Sequence, residues 1–338
     1  MRIAVVGAGA MGSLMAGRLA AAAGQPGSTP ASSVDQVVLY GRTSDHLDAI
    51  RASGLTIVER SGASSMIPVT ATTNPADVEG SGVVLVLVKA WASGEAATPL
   101  CPYLNRDTVV ITLQNGLGNA SALRSSLLKD GVRPHVYLGV TTHGAMRTEP
   151  GVIVHSGSGI TALGRRTNPA NTQLRDIANA MTAAGLQTVA VDDIHRWVWR
   201  KLAVNAAINP LTALAGVPNS VISTDPGLRA AAEGIAREVV TVGKATGVKI
   251  DLKEVLAAIE DVARATGDNR SSMLVDIETG TPTEIDAING AVLSEARRHA
   301  IKVPANQLMT ALVRAREGRF QTVDDDASTT DLDVDAIS

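Results

Sequence analysis

Three absences narrow what this chain can be. It carries one cysteine in 338 residues, only seven Trp, Tyr and Phe side chains together, and no long block of one charge. The lone Cys101 cannot pair within the chain and has no ligand partner at metal-site spacing. A disulfide framework and a metal centre are therefore not expected, and a reducing cytoplasm is the simplest location. With so few aromatics, the core must be built from Ala, Val, Leu and Ile, a composition suited to helix packing and to parallel strands buried on both faces. The formal net charge of -3 speaks against a nucleic-acid partner, which would need clustered phosphate-neutralising groups. No apolar stretch approaches the roughly 20 residues of a membrane helix. Ile3 to Val6 is too short for a signal peptide and runs straight into a glycine turn.

What the chain does have is alternation. Ile3 to Val6 reads as a buried strand, Ser13 to Ala23 as a helix and Gln36 to Tyr40 as a second strand, a strand–helix–strand unit. Gln25 to Asp35, rich in Gly, Pro and Ser, reads as a surface loop. Further strands are expected at Val83 to Val88, Thr108 to Leu113, Leu138 to Thr141, Val152 to His155, Thr161 to Leu163 and Gln187 to Val191, with a helix at Asn171 to Ala184. From about Asp193 only helices are expected: Ile194 to Leu214, Gly227 to Thr246, Leu252 to Ala265 and Glu284 to His299. The fold class is therefore α/β: a Rossmann-type dinucleotide-binding domain over 1–191, an all-helical second domain over 192–320, and an acidic, polar tail over 321–338 expected to be disordered.

The glycine turn Gly7-Ala8-Gly9-Ala10-Met11-Gly12 has the G-x-G-x-x-G spacing between a buried strand and a helix, the context in which that spacing signals a dinucleotide. Gly7 permits the tight turn, Gly9 lets the backbone approach a pyrophosphate and Gly12 allows close helix–strand packing. The helix N-terminus offers N–H groups and a positive dipole end. An NAD site usually places an acid at the end of the second strand; here Val38-Leu39-Tyr40-Gly41-Arg42 ends in an arginine. Arg42 can pair with a 2′-phosphate through its planar fork, which favours NADPH (NADP+), although it could also be a solvated surface charge.

Trp197 to Pro210 reads WVWRKLAVNAAINP, and Lys201, Asn205 and Asn209 recur four apart, forming one polar stripe on an otherwise apolar helix. Burying such groups costs several kcal/mol, on the order of 2–7 for each unpaired amide, unless partners or a ligand satisfy them. These residues, together with VKAW at 88–91, QNGLGN at 114–119, TTHGA at 141–145, WRKLAVNAAINPLTAL at 199–214 and NRSSMLVDIETGTPTEIDAINGAVL at 269–293, resemble the ketopantoate reductase (2-dehydropantoate 2-reductase) family over roughly residues 1 to 317. Ala92 stands where that family often carries Gln.

The resemblance implies NADPH-dependent reduction of 2-dehydropantoate to pantoate, a step towards pantothenate and coenzyme A. By the same resemblance Lys201 is the general acid and Glu284 its carboxylate partner. Lys89 and Asn115, at carboxyl ends of strands, lie near the nicotinamide. Ser272 binds the substrate carboxylate, and Asn115, Asn205, Asn209, Asn219 and Asn269 line the substrate. On their own chemistry, Glu284 could instead be a helix N-terminal carboxylate and Asn219 a turn residue. His143 and His195 are expected to be structural. The partner is a small-molecule 2-keto acid, with no nucleic acid and no membrane; an apolar helical domain makes a homodimer plausible. Rival readings are a relative reducing another branched 2-keto acid, a non-catalytic NADPH-binding sensor, and another two-domain dehydrogenase. The last leaves NRSSML and TEIDAING unexplained.

Overall fold

The computed structural model describes residues 1–24, 33–128 and 133–319. Most of the expected 25–35 loop and the expected acidic tail lie outside them. The N-terminal half runs β1 (Arg2–Val6), α1 (Ala10–Ala21), β2 (Gln36–Tyr40), α2 (Asp45–Ser53), β3 (Leu55–Glu59), β4 (Ser64–Ile67), β5 (Thr70–Thr72), β6 (Val83–Val86), α3 (Ser93–Ala97), β7 (Val109–Thr112) and α4 (Asn119–Leu128). It continues through β8 (His135–Thr141), β9 (Gly144–Glu149), β10 (Val152–Gly157), β11 (Thr161–Gly164), α5 (Thr172–Ala183) and β12 (Thr188–Val191). Eight strands form one sheet in the order β12-β11-β8-β7-β6-β1-β2-β5. All its pairings are parallel except β11 with β8. Strands β6 and β7 are buried at every position, which is why they read as unbroken apolar runs.

Val152 to His155, expected as a strand, do form one but do not join this sheet. They belong to β10, in a second sheet of order β4-β3-β10-β9. This sheet packs on the far side of α1, where Leu55 and Ile57 reach Gly17. Helix α1 is thereby covered on both sides, with seven of its residues buried from Gly12 to Leu19. Two of its polar side chains find partners: Ser13 Oγ bonds His46 Nε2 at 3.0 Å, and Arg18 pairs with Glu59 of β3.

The helical half comprises α6 (Ile194–Ala215), α7 (Val221–Thr224), α8 (Pro226–Ala245), α9 (Leu252–Ala265), α10 (Ser272–Glu278), α11 (Asn289–Arg298) and α12 (Pro304–Arg316). The expected helix from Glu284 to His299 is corrected: it starts only at Asn289, because residues 284–288 form turns closed by bonds from Ala287 N and Ile288 N to Glu284 O. Helix α6 is the axis, and α8, α9, α10 and α12 all pack on it around an Ala/Val/Ile/Leu core. It contains Pro210, which has no N–H for the carbonyl four residues back. Asn289 supplies the missing donor, its Nδ2 reaching Ala206 O at 3.1 Å while also bonding Asn306 Oδ1 at 3.0 Å. Asn306 in turn donates to Ile235 O on α8, so the one defect in α6 anchors three other helices.

Asn289 is fully buried, so Asn289→Ala orphans Ala206 O and is expected to cost about 2–3 kcal/mol. In a Pro210→Ala background, where an N–H returns, the same substitution should cost about 1 kcal/mol less. Urea unfolding of the four proteins measures this, and an unchanged cost would contradict the assignment.

Candidate active site

The glycine turn closes between β1 and α1, with Gly7 N donating to Tyr40 O at 2.8 Å. Gly7 has φ +113, and a Cβ at Gly12 would lie 1.8 Å from Gly7 O, so protein geometry alone demands both glycines. Gly9 differs: no atom lies within 4 Å of where its Cβ would be. The protein does not require glycine there, and the open space suits a close-approaching ligand. Helix α1 has no side-chain cap and no acid in its first turn, so the N–H groups over Ala10, Met11 and Gly12 keep the positive character that attracts phosphate. Arg42 follows β2 beside Gly41, which packs on Ala8 of the turn. Its side chain is 78% exposed, with Glu95 4.0 Å away, leaving the guanidinium open to a ligand anion.

The carboxyl ends of β6 and β7 meet the segment 276–287 of the helical half. Lys89 Nζ pairs with Asp276 Oδ2 at 2.5 Å. Glu284 is only 6% exposed and accepts from Ala90 N at 3.0 Å and from Asn115 Nδ2 at 2.9 Å. Trp91 Nε1 donates to Pro282 O, and Leu117 N to Ala287 O. The alternative reading of Glu284 as a helix-terminal carboxylate is excluded by these contacts, since its acceptors serve the other half of the chain. Next to the Ala92 departure, Gln114 Nε2 braces the turn by donating to Val88 O and Ser93 Oγ.

Lys201 projects from α6 into this interface, enclosed by protein although not sealed from solvent. Burial lowers its pKa from 10.5 to about 8, against the attraction of the nearby Glu284 carboxylate, which raises it. The next two turns carry Asn205, partly buried, and Asn209, buried. At the end of the helix, Asn219 N bonds Asn269 O at 3.0 Å and its Nδ2 bonds Thr266 Oγ1 at 2.9 Å. Asn219 Oδ1 remains buried without a partner. Asn269 and Ser272 are exposed, whereas the adjacent Ser271 caps α10 and bonds Thr212 of α6. Thus Lys201, Glu284, Asn115 and Lys89 gather at one interface. Asn205 and Asn209 continue the face of α6 that carries Lys201, and the pair of Asn219 and Asn269 lies towards its far end.

Asp276 was not singled out from the sequence. Its one local signal is its place four residues after Ser272 on α10, and only the fold sets it against Lys89. Desolvation raises its pKa, partly offset by the Lys89 ammonium. The two histidines hold the fold instead. His143 Nδ1 lies 3.2 Å from His155 Nε2, and burial holds its pKa at about 4; His195 bonds Arg166 O.

The Lys201 shift has a stability consequence. Below pH 8 folded and unfolded chains both carry the ammonium, the folded one at a desolvation cost. Between pH 8 and 10.5 the folded chain releases a proton that the unfolded chain keeps, so stability rises with pH. Lys201→Met should therefore stabilise the protein by about 2–3 kcal/mol at neutral pH. The gain should fade between pH 8 and 10.5; a gain that is absent, or independent of pH, would refute the shift.

Known proteins match this architecture along its length. The family described as Ketopantoate reductase PanE/ApbA matches residues 3–168, and its C-terminal counterpart, Ketopantoate reductase PanE/ApbA C terminal, matches 193–317. A 2-dehydropantoate 2-reductase of Halobacterium salinarum is 37% identical over 314 residues, covering 93% of this chain and 98% of that one. The crystal structure of a PanE/ApbA family ketopantoate reductase from Ralstonia eutropha JMP134 superposes with a TM-score of 0.81 at 30% identity, over 94% of this chain and 99% of its own. D-mandelate dehydrogenase, in a ternary structure with NADH and anilino(oxo)acetate, gives a TM-score of 0.83 at 24% identity over 94% and 99%, a likeness of fold. With both halves of its pattern matched and this identity sustained end to end, the chain belongs to the ketopantoate reductase family.

Proposed function

We propose that this chain reduces 2-dehydropantoate to pantoate with NADPH. The observation that carries the reading is Lys201: a cation with its pKa drawn down to about 8, set in the interface beside Glu284 and on the same helix face as Asn205 and Asn209. When bound, NADPH supplies the hydride that converts the keto carbon to an alcohol. The chain must then steady the negative charge building on the carbonyl oxygen and protonate it. Lys201 is suited to both, since an ammonium in a desolvated cleft stabilises an oxyanion strongly and a pKa near the working pH favours proton transfer.

Glu284, fixed by Ala90 N and Asn115 Nδ2, orients the ammonium and offers an acceptor to the substrate hydroxyl. Ser272 takes the substrate carboxylate. Asn205, Asn209, Asn219 and Asn269 supply amide contacts, and the unpartnered Oδ1 of Asn219 is an acceptor in wait of a donor. On the cofactor side, Gly7 to Gly12 seat the pyrophosphate, Arg42 takes the 2′-phosphate, and Lys89 and Asn115 flank the nicotinamide end. The division falls between the last strand, ending at Val191, and α6, with 1–191 as the cofactor domain and 192–320 as the substrate domain. A single cysteine, Cys101, with no second cysteine to pair with in the chain, and a need for NADPH support a cytoplasmic enzyme.

Lys201→Ala should lower kcat by 10²–10⁴, the range expected for losing a positioned general acid. Because the protonated lysine is the active form, kcat/KM for reduction should fall as pH rises through about 8. Stopped-flow NADPH oxidation reads both; wild-type turnover in the variant would overturn the mechanism. Arg42→Ala should weaken NADPH at least tenfold in KM and leave NADH unchanged, as expected for a lost charge-assisted contact. Equal effects on both cofactors would refute the 2′-phosphate role. A panel of branched 2-keto acids ranked by kcat/KM fixes the substrate: 2-dehydropantoate should lead, and a low rank would favour a relative with another substrate.

A further inference from the structure

Beyond the loop 115–118 lies a cavity of about 580 Å³, within the size range of small-molecule sites. It is bounded by the start of α4, the middle of β8, the first turns of α6 and the turn 246–248. None of the glycine turn, Lys89, Glu284 or Ser272 borders it, although Asn115 and Lys201 form part of its wall. Its wall includes the apolar side chains of Trp199, Leu202 and Val248 and two arginines, Arg124 and Arg166. Among the described residues neither side chain has a carboxylate partner.

The acids of the wall are already engaged. Asp193 accepts from Arg196 N at the start of α6, and Glu295 pairs with Arg298. Burial and the neighbouring Arg166 charge both depress the Arg124 pKa, so the pair repel each other across a partly desolvated gap. Like charges left together in this way are stabilised by an anion between them, and the planar fork of arginine suits phosphate or carboxylate oxygens.

We propose that this cavity is a second ligand site, taking a small amphipathic anion whose phosphate or carboxylate head sits between Arg124 and Arg166 and whose apolar body lies on Trp199, Leu202 and Val248. Because Asn115 and Lys201 share the wall, an occupant would lie next to the groups that face Glu284, and the site is placed to tune them.

Isothermal titration of the full chain with phenyl phosphate and with phenylacetate tests this and separates the two head groups, with phenol and inorganic phosphate as controls. At least one of the two anions should bind, at least tenfold more tightly than either control. Binding should weaken at least tenfold in Arg124→Gln/Arg166→Gln, and saturating NADPH should not displace the ligand. The single variant Arg166→Gln, at an exposed position, serves if the double variant loses its far-UV circular dichroism. Absence of binding by both anions, or unchanged affinity in the arginine variants, would overturn the proposal. Displacement by NADPH would also overturn it, placing the anion in the cofactor cleft. Only that competition arm rests on the proposed cofactor, so dependence on the arginines stands or falls apart from it.

Discussion

The structure turns on one buried carboxylate. Glu284 belongs to the helical half, yet both its oxygens accept from the strand half, one from Ala90 N and one from Asn115 Nδ2. A carboxylate removed from water is tolerable when donors satisfy its oxygens. Lys201, on a third element, adds its attraction to Glu284, although the desolvation of its own charge outweighs that gain. The Lys89–Asp276 pair repeats the arrangement with the same polarity, a carboxylate of the helical half meeting a donor of the strand half, here a full cation. Two such carboxylate contacts thus cross the same interface and fix its register, which a purely apolar seam would leave freer to slide.

The same contact sets the chemistry available at Lys201. Enclosure by α6 and its neighbours pulls the pKa down, and Glu284 alone pulls it back. A balance near 8 leaves the lysine charged at neutral pH but close to giving up its proton. An exposed lysine would hold its proton too firmly, and a buried one without Glu284 would tend to lose it. Both groups sit on rigid supports. Lys201 rides on a 22-residue helix whose proline defect is satisfied by Asn289, and Glu284 is held by turns that lead into α11.

Much of this was legible in the sequence. Fully buried strands such as β6 and β7 read as apolar runs, the glycine turn fell between a strand and a helix, and Lys201, Asn205 and Asn209 showed as a polar stripe. The second sheet did not show. The strand β4 is exposed at three of its four positions and β9 is mostly exposed, so neither has the alternation that marks a half-buried strand. Glu284 was found as a residue but given a helical setting, because a hydrophobic period beginning at Ile285 gives no sign of the turns before Asn289. Asp276 stayed hidden because its meaning depends on Lys89, 187 positions away. Long-range pairing of that kind leaves no periodic trace in either segment.

The central claim, that Lys201 is held near pH 8 by burial opposed by Glu284, is open to direct titration of the lysine side chains by NMR in wild type and in Glu284→Gln. One lysine, absent from the spectrum of Lys201→Met, should titrate at about 8 in the wild type and lower still once the carboxylate is neutralised. If every lysine titrates near 10.5, or if the shifted one does not respond to Glu284→Gln, the account is wrong.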